Sequence, residues 1–310
     1  MAKILVAGNI NLETTLQIEA FPITYNPVNY APFGISSRVS AFGYNTTKAL
    51  TTLGDRVNFL GFTGPDLLGE LVKATLSQDK ISAAFVVPQL SATTQSVILF
   101  DKTGQRQINT DLKDFQQQTY PPDKFKEALS GCELAIFAKV NFTRPLLGYA
   151  KAAGVPIATD LQLVTSLEDE MAHDFMQNAE IIFMSHEKLP CSPEDWVRRF
   201  LDRYRPEIIV VGLGAEGVLL SVRKDNFIRR FPAVYTRPVV NTIGAGDALF
   251  AAFNHFYCKT KNPYESIQKA QLFASYKIGA NGASAGFLDE QTLDELLREE
   301  GTRMNADTNG

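Results

Sequence analysis

Cysteine is scarce: Cys132, Cys191 and Cys258 are the only three in 310 residues. Their odd number and scattered spacing exclude a disulfide framework and a paired thiolate clasp for a metal, and point to a reducing, intracellular compartment. Long apolar runs are missing as well. No stretch reaches the roughly 18 apolar residues of a membrane span. The opening Met-Ala-Lys-Ile-Leu-Val-Ala-Gly has an early charge but not the apolar length or cleavage pattern of a signal peptide. The expectation is a cytoplasmic protein with no membrane partner. A basic excess is absent too: the formal charge is -4. No local Lys/Arg cluster resembles a phosphate-backbone footprint, so nucleic acid is not expected as a partner. With no internal repeat and no Ser/Gly linker, residues 1–310 read as one domain.

What the chain has is 45% hydrophobic residues, ample for an extended core, in short apolar runs that alternate with helical segments. Ile4 to Ala7, Leu134 to Phe137, Pro156 to Thr159, Ile181 to Met184 and Ile208 to Val211 read as strands covered on both faces. Between them, Pro122 to Leu129 and Thr143 to Ala152 read as helices, and Ser192-Pro193-Glu194-Asp195 starts another that carries Trp196 to Tyr204. Such alternation predicts βα units and a three-layer α/β/α fold with a mainly parallel sheet. Two stretches break the pattern. Pro22 to Ala41, with alternations such as Val28, Tyr30 and Pro32, reads as strands exposed on one face. Gln95 to Thr110 reads as a hairpin turning at Asp101-Lys102-Thr103-Gly104. Together, at about 13–42 and 93–112, they predict a small β lid, whose closure would exclude water from a reaction beneath it. A subunit interface is the other reading of these pieces.

Chemistry concentrates in Asn241 to Phe250, Asn-Thr-Ile-Gly-Ala-Gly-Asp-Ala-Leu-Phe. Gly244 and Gly246 can take backbone angles closed to other residues, so the amides of Gly244, Ala245 and Gly246 can converge on an anion at a helix start. A carboxylate beside an anion site repels the ligand unless its task is to take a proton, which makes Asp247 the candidate general base. The plainer reading is that Asp247 complements the helix dipole and that the glycines serve a tight strand-to-helix turn. The whole string resembles the Asp-Thr-x-Gly-Ala-Gly-Asp signature of the ribokinase-like sugar kinases, the PfkB family, with Asn241 where the family usually has Asp.

That resemblance runs from Gly8 through Ser284 in family order and implies roles for further residues. Asn11 and Glu13, the latter replacing an Asp, would bind the acceptor with Gly43 and Asn45, although Asn45 taken alone reads as the N-cap of a Thr46 to Leu53 helix. Phe42 stands where a glycine is expected and implies a bulkier approach to the substrate. Gly212, Gly214 and Gly217 match a nucleotide-binding turn, as Thr242, Asn281 and Gly282 match an ATP-binding segment, while the same glycines would also serve a hairpin into Val218 to Val222. Glu187 would organise water around Mg²⁺, with Asp160 assisting and Met184 where an Asn is usual. His186 has no paired ligand or nucleophile and reads as a surface or capping residue. ATP and Mg²⁺ are thus implied, with K⁺ weakened by the neutral Asn241, and so is a homodimer through the lid. The implied activity is phosphorylation of a primary hydroxyl of a sugar or sugar-like molecule. Two alternatives stand beside it: a nucleoside kinase using Phe21, Phe33 and Phe42 to stack on a base, and a non-catalytic sugar- or nucleotide-binding regulator. The second draws on the departures at Glu13, Met184, Gly212 and Asn241. The tail, Gly301 to Gly310, is polar and expected to fray.

Overall fold

In a computed structural model, residues 1–103 and 105–307 are described, with side chains through Arg298 apart from Gly104. Their strands are β1 Lys3–Ala7, β2 Asn11–Gln17, β3 Ile35–Ser40, β4 Arg56–Phe62, β5 Val86–Val87, β6 Gln95–Phe100, β7 Arg106–Asp111, β8 Leu134–Ala138, β9 Ile157–Asp160, β10 Ile181–Ser185, β11 Ile208–Gly212, β12 Val218–Val222 and β13 Phe227–Phe231. The α-helices are α1 Phe42–Thr52, α2 Leu67–Gln78, α3 Pro122–Leu129, α4 Arg144–Ala152, α5 Glu170–Asn178, α6 Pro193–Tyr204, α7 Ala245–Thr260, α8 Pro263–Ile278 and α9 Glu290–Asp307. Nine strands form one sheet in the order β13-β12-β11-β10-β9-β8-β1-β4-β5, and four form a second in the order β3-β2-β6-β7. The large sheet is parallel except for β12 and β13, which close one edge as an antiparallel meander.

Alternation along the parallel strands explains the layers, because successive side chains leave a strand on opposite faces. On β1, Ile4 and Val6 pack with α1, α2, α7, α8 and α9, whereas Leu5 and Ala7 pack with α3, α4, α5 and α6. The helices start as their sequences dictate. Ser192 Oγ accepts the Asp195 N–H at 3.2 Å, and Asn262 Oδ1 accepts the N–H groups of Tyr264 and Glu265. Asp66 caps α2 through Gly69 N–H and also accepts from Thr93 N–H and Oγ1, so it ties that helix to the segment entering β6.

The small sheet pairs β2 parallel to β6, with β3 and β7 antiparallel outside them. The β6–β7 hairpin agrees with the sequence reading, its turn held by Asp101 Oδ1 accepting from the N–H groups of Thr103 and Gln105; Gly104 itself lies outside the described residues. Three expectations are corrected. Residues 18–34 pair with nothing as strands, because Pro22, Pro27 and Pro32 each remove a ladder donor; the exposed-face strands are β2 and β3. Helix α1 begins at Phe42, not at Thr46, with Ala41 at its N-cap and no side-chain cap. The chain is helical through Asp307, which overturns a frayed tail over Gly301–Asp307; residues 308–310 lie outside the description. No helix among the described residues is long and apolar enough to cross a membrane.

Candidate active site

Helix α7 starts at the Gly-Ala-Gly-Asp turn. Gly244 is its N-cap at φ 76°, in the left-handed region, and a Cβ there would come within 2.5 Å of the Ala283 carbonyl oxygen. Only glycine lets the turn pass that loop. The Ala245 N–H donates to the Thr242 carbonyl at 3.1 Å, while the next amides, of Gly246 and Asp247, open the first helical turn and have no carbonyl within the helix to bond. Asp247 stands half-buried in that turn. Its Oδ2 accepts from Asn45 Nδ2 at 2.7 Å. Burial pushes the carboxyl above its ordinary range, while the Asn45 hydrogen bond and the Lys277 charge hold it down.

Asn45 is therefore not a cap: it lies one turn inside α1, buried, and reaches across to α7. Gly43 is likewise buried, and a Cβ on it would fall 2.6 Å from the Asn9 carbonyl oxygen, so its missing side chain lets α1 approach the β1–β2 turn. Phe42 points into the core, 5.5 Å from the Phe250 ring, which corrects the expectation that it crowds a substrate. Phe33 is fully exposed.

Strand β2 supplies the facing wall. Asn11 and Glu13 share one of its faces and are both buried, with Ser40 opposite Asn11 and Arg38 opposite Glu13 on β3. Asn11 Nδ2 donates to Ser96 Oγ at 3.0 Å. Asn11 Oδ1, Glu13 Oε1, Ser40 Oγ and Asn45 Oδ1 are buried without a hydrogen-bond partner, a costly state in a folded protein. Desolvation raises the Glu13 carboxyl above its usual range; Ser40 and Arg38 oppose this, and the Asp247 charge adds to it.

Two cations of this site were not read from the sequence. Arg38 crosses from β3 to donate from Nη1 to the Asn281 carbonyl at 2.6 Å, and Gly282 beside it is held at φ 107°, a conformation that favours glycine. Lys277 is wholly buried at the end of α8, its Nζ donating to the Ile243 carbonyl. The signal was present: Ala270, Phe273 and Lys277 follow the i, i+3, i+7 spacing of a buried helical stripe, on which a lysine is out of place.

At the parallel strand ends, Asp160 closes β9, and burial pushes its carboxyl up to about 6, with the Asp247 charge adding to the effect. Lys139, after β8, opposes that rise. Glu187 is exposed beyond β10. Among the described residues no three His, Cys, Asp or Glu side chains gather as a metal cage. A buried acid raised further by a second carboxylate's charge fits a cation that arrives with its own oxygen ligands. Met184 is buried toward α6, where its Sδ accepts from Trp196 Nε1 at 3.3 Å. His186 donates from Nδ1 to the Gly212 carbonyl at 2.9 Å, a tethering bond. Gly214 and Gly217 form the β11–β12 hairpin turn at φ 61° and 101°. Thr242 is exposed before α7, and Asn281 accepts at Oδ1 from Asn241 Nδ2 at 3.4 Å.

A carboxylate in the first turn of a helix, on the C-terminal side of a parallel sheet and faced by a polar β wall, has the placement of a small-molecule site in an α/β protein. The model of the pfkB family carbohydrate kinases matches residues 42–290, and the chain belongs to that family. It is 26% identical to the acarbose 7(IV)-phosphotransferase of Actinoplanes sp. over 296 residues, which are 94% of this chain and 96% of the relative. A solved microbiome-derived acarbose kinase superposes with a TM-score of 0.85 at 25% identity, covering 96% of this chain and 99% of that one. The ribokinase of Arabidopsis thaliana shares the fold, with a TM-score of 0.80 at 18% identity and coverage of 96% and 98%. The fold is ribokinase-like and the protein is a carbohydrate kinase, a phosphotransferase of a family that uses ATP.

Proposed function

We propose that the chain transfers the γ-phosphoryl group of ATP to a primary hydroxyl of a sugar or sugar-like small molecule, with Asp247 as general base. The observation that carries this reading is the set of buried, unpaired polar atoms on Asn11, Glu13, Ser40 and Asn45 beside the Asp247 carboxylate. Each lacks what a polyhydroxylated acceptor offers, a hydroxyl that both donates and accepts. Glu13 and Asn11 would fix the ring, and Asn45 would steer Asp247 toward the reacting hydroxyl. The first-turn amides of α7 would face the transferring phosphoryl group, Gly244 and Gly246 giving the backbone its shape and Ala245 closing the turn. Positioning and charge compensation are most of what this transfer asks of a protein.

Gly212, Gly214, Gly217, Thr242, Asn281 and Gly282 would border the nucleotide. Mg²⁺, when bound with ATP, supplies charge neutralisation on the phosphate oxygens, and Asp160 and, through water, Glu187 are the residues that would hold it. The four-stranded sheet would close over the acceptor as a lid.

The test is an ADP-release screen over acarbose, pentoses, hexoses, sugar phosphates and nucleosides. Turnover on a free sugar or oligosaccharide well above that on any nucleoside is expected. A nucleoside as best acceptor contradicts the sugar assignment, and tight sugar binding without ADP release across the panel favours a regulator. The nucleoside reading is weakened by Phe42, whose ring is in the core and free to stack on nothing outside it.

A further inference from the structure

A buried lysine is expensive. Removing an ammonium from water costs several kcal/mol even in a relaxed protein, and Lys277 is 0% exposed. Its position is specific. The end of α8 is clamped to the approach to the Gly244 turn, since the Ile278 carbonyl accepts from the N–H groups of Val240 at 2.9 Å and Asn241 at 3.0 Å. From there Lys277 Nζ reaches under the turn to the carbonyl of Ile243, the residue before Gly244. Two acids feel its charge, Asp247 of α7 and Glu13 of β2, and the cation opposing it is Arg38 of β3. It therefore stands behind both the proposed base and the proposed acceptor wall.

The resemblance to the family implies a monovalent metal ion beside the Gly279–Ser284 loop, and the residues here do not fit one. Asn241 carries no charge. Its Oδ1 is already taken by the Ile243 N–H at 2.7 Å, and its Nδ2 points a donor at Asn281 Oδ1. The Ile243 carbonyl oxygen, in the same turn, already holds the lysine. A metal cation requires a shell of oxygens with free lone pairs, and the side chains of Asn241 and Lys277 bring a donor and an ammonium to this place instead.

Resting on the kinase reading above, we propose that Lys277 is a resident cation: its ammonium, seated on the Ile243 carbonyl, fixes the turn before Gly244 and does without a metal what a bound monovalent ion would otherwise do there. It is a positioning residue. It acts through the turn and through the charge it presents to Asp247.

Two measurements judge it. In the first, the wild-type enzyme is assayed with K⁺, Na⁺ or choline as the sole monovalent cation; equal kcat in all three is expected, and K⁺ activation of several-fold overturns the proposal. In the second, thermal unfolding is followed for wild type, Lys277→Met and Lys277→Ala in the same salts, a readout independent of turnover. Wild type should show no K⁺-specific shift in Tm. Lys277→Ala, which vacates the ammonium position, should gain one, and its kcat, lowered about 10²-fold to 10³-fold on the scale of a lost preorganised donor, should be partly restored by K⁺ or NH₄⁺. Lys277→Met keeps the bulk without the charge, so it should fold and lose the same kcat without rescue. A Lys277→Met enzyme of normal kcat would reduce the lysine to packing and overturn the proposal. If Lys277→Ala does not fold, the wild-type salt series and Lys277→Met still decide. If no acceptor releases ADP, the kinase reading has failed, and the K⁺-dependence of wild-type Tm still judges the lysine by itself.

Discussion

Asn45 Nδ2 donates to Asp247 Oδ2 at 2.7 Å, joining the first turns of two helices that lie 202 positions apart in sequence. In the proposed mechanism the bond leaves the second carboxylate oxygen for the acceptor and sets the rotamer of Asp247, the proposed base. Asn45→Ala should lower kcat about 10-fold to 10²-fold, the order expected for one hydrogen bond to a charged group at roughly 1.5–3 kcal/mol, with a smaller change in KM. Asn45→Asp should do worse, because a second carboxylate would favour protonation of Asp247. Steady-state kinetics of both variants on the same acceptor check this, and an Asn45→Asp enzyme faster than Asn45→Ala speaks against it.

The pH dependence should be a bell. Burial raises Asp247 above the ordinary carboxylate range, so kcat falls on the acid side as the base takes up its proton. On the alkaline side Lys277, pushed down to about 8 by burial while Asp247 and Glu13 oppose that fall, loses the charge its position requires. In the Lys277→Met enzyme the alkaline limb should disappear, and the acid limb should remain but move to higher pH, because the charge that holds Asp247 down is gone. A profile of kcat against pH from 5 to 10 for both proteins is the measurement, and an unchanged alkaline limb in the variant would refute this origin.

Phe42→Ala should cost stability without altering acceptor preference. The ring packs on Phe250, which in turn meets Phe183 edge-on at 5.0 Å, and large-to-small changes at such sites cost about 3–5 kcal/mol. Urea unfolding measures the cost. A changed ranking of acceptors with unchanged stability would return Phe42 to the substrate approach.

Asp160→Asn should stabilise the fold at neutral pH. The carboxyl is pushed up to about 6 from an unfolded value near 4, so the folded form holds its proton more tightly than the unfolded chain. Its stability contribution is present below about 4 and is lost as pH rises to about 6. Above that window the wild-type chain carries the cost of a buried charge, which the variant removes, for a gain in Tm on the order of a few °C at pH 7.5 that vanishes at pH 4. Equal melting curves at both values would mean that Asp160 is well solvated.

Much of the fold was legible because the parallel strands are continuous apolar runs and the helices carry their own start signals at Ser192, Asn262 and Pro122. The Gly-Ala-Gly-Asp turn was legible because its backbone conformation restricts the residues that fit. What escaped depends on contacts distant in sequence. Asn45 has the local chemistry of a cap, and only the packing of α1 on α7 gives it another partner. Gly43 looks like room for a ligand, and the room is filled by the Gly8–Asn9 backbone. Residues 18–34 alternate as a strand would, but three prolines deny them a ladder. Arg38 sits on an ordinary strand, and nothing local announces that it reaches Asn281, 243 positions away.

The most direct test is the turnover of Asp247→Asn on the best acceptor from the screen, with ATP and acceptor binding measured on the same protein. The account predicts a kcat lower by about 10²-fold to 10⁴-fold, the range of a lost general base, with both ligands still bound. An Asp247→Asn enzyme that turns over at the wild-type rate would contradict it.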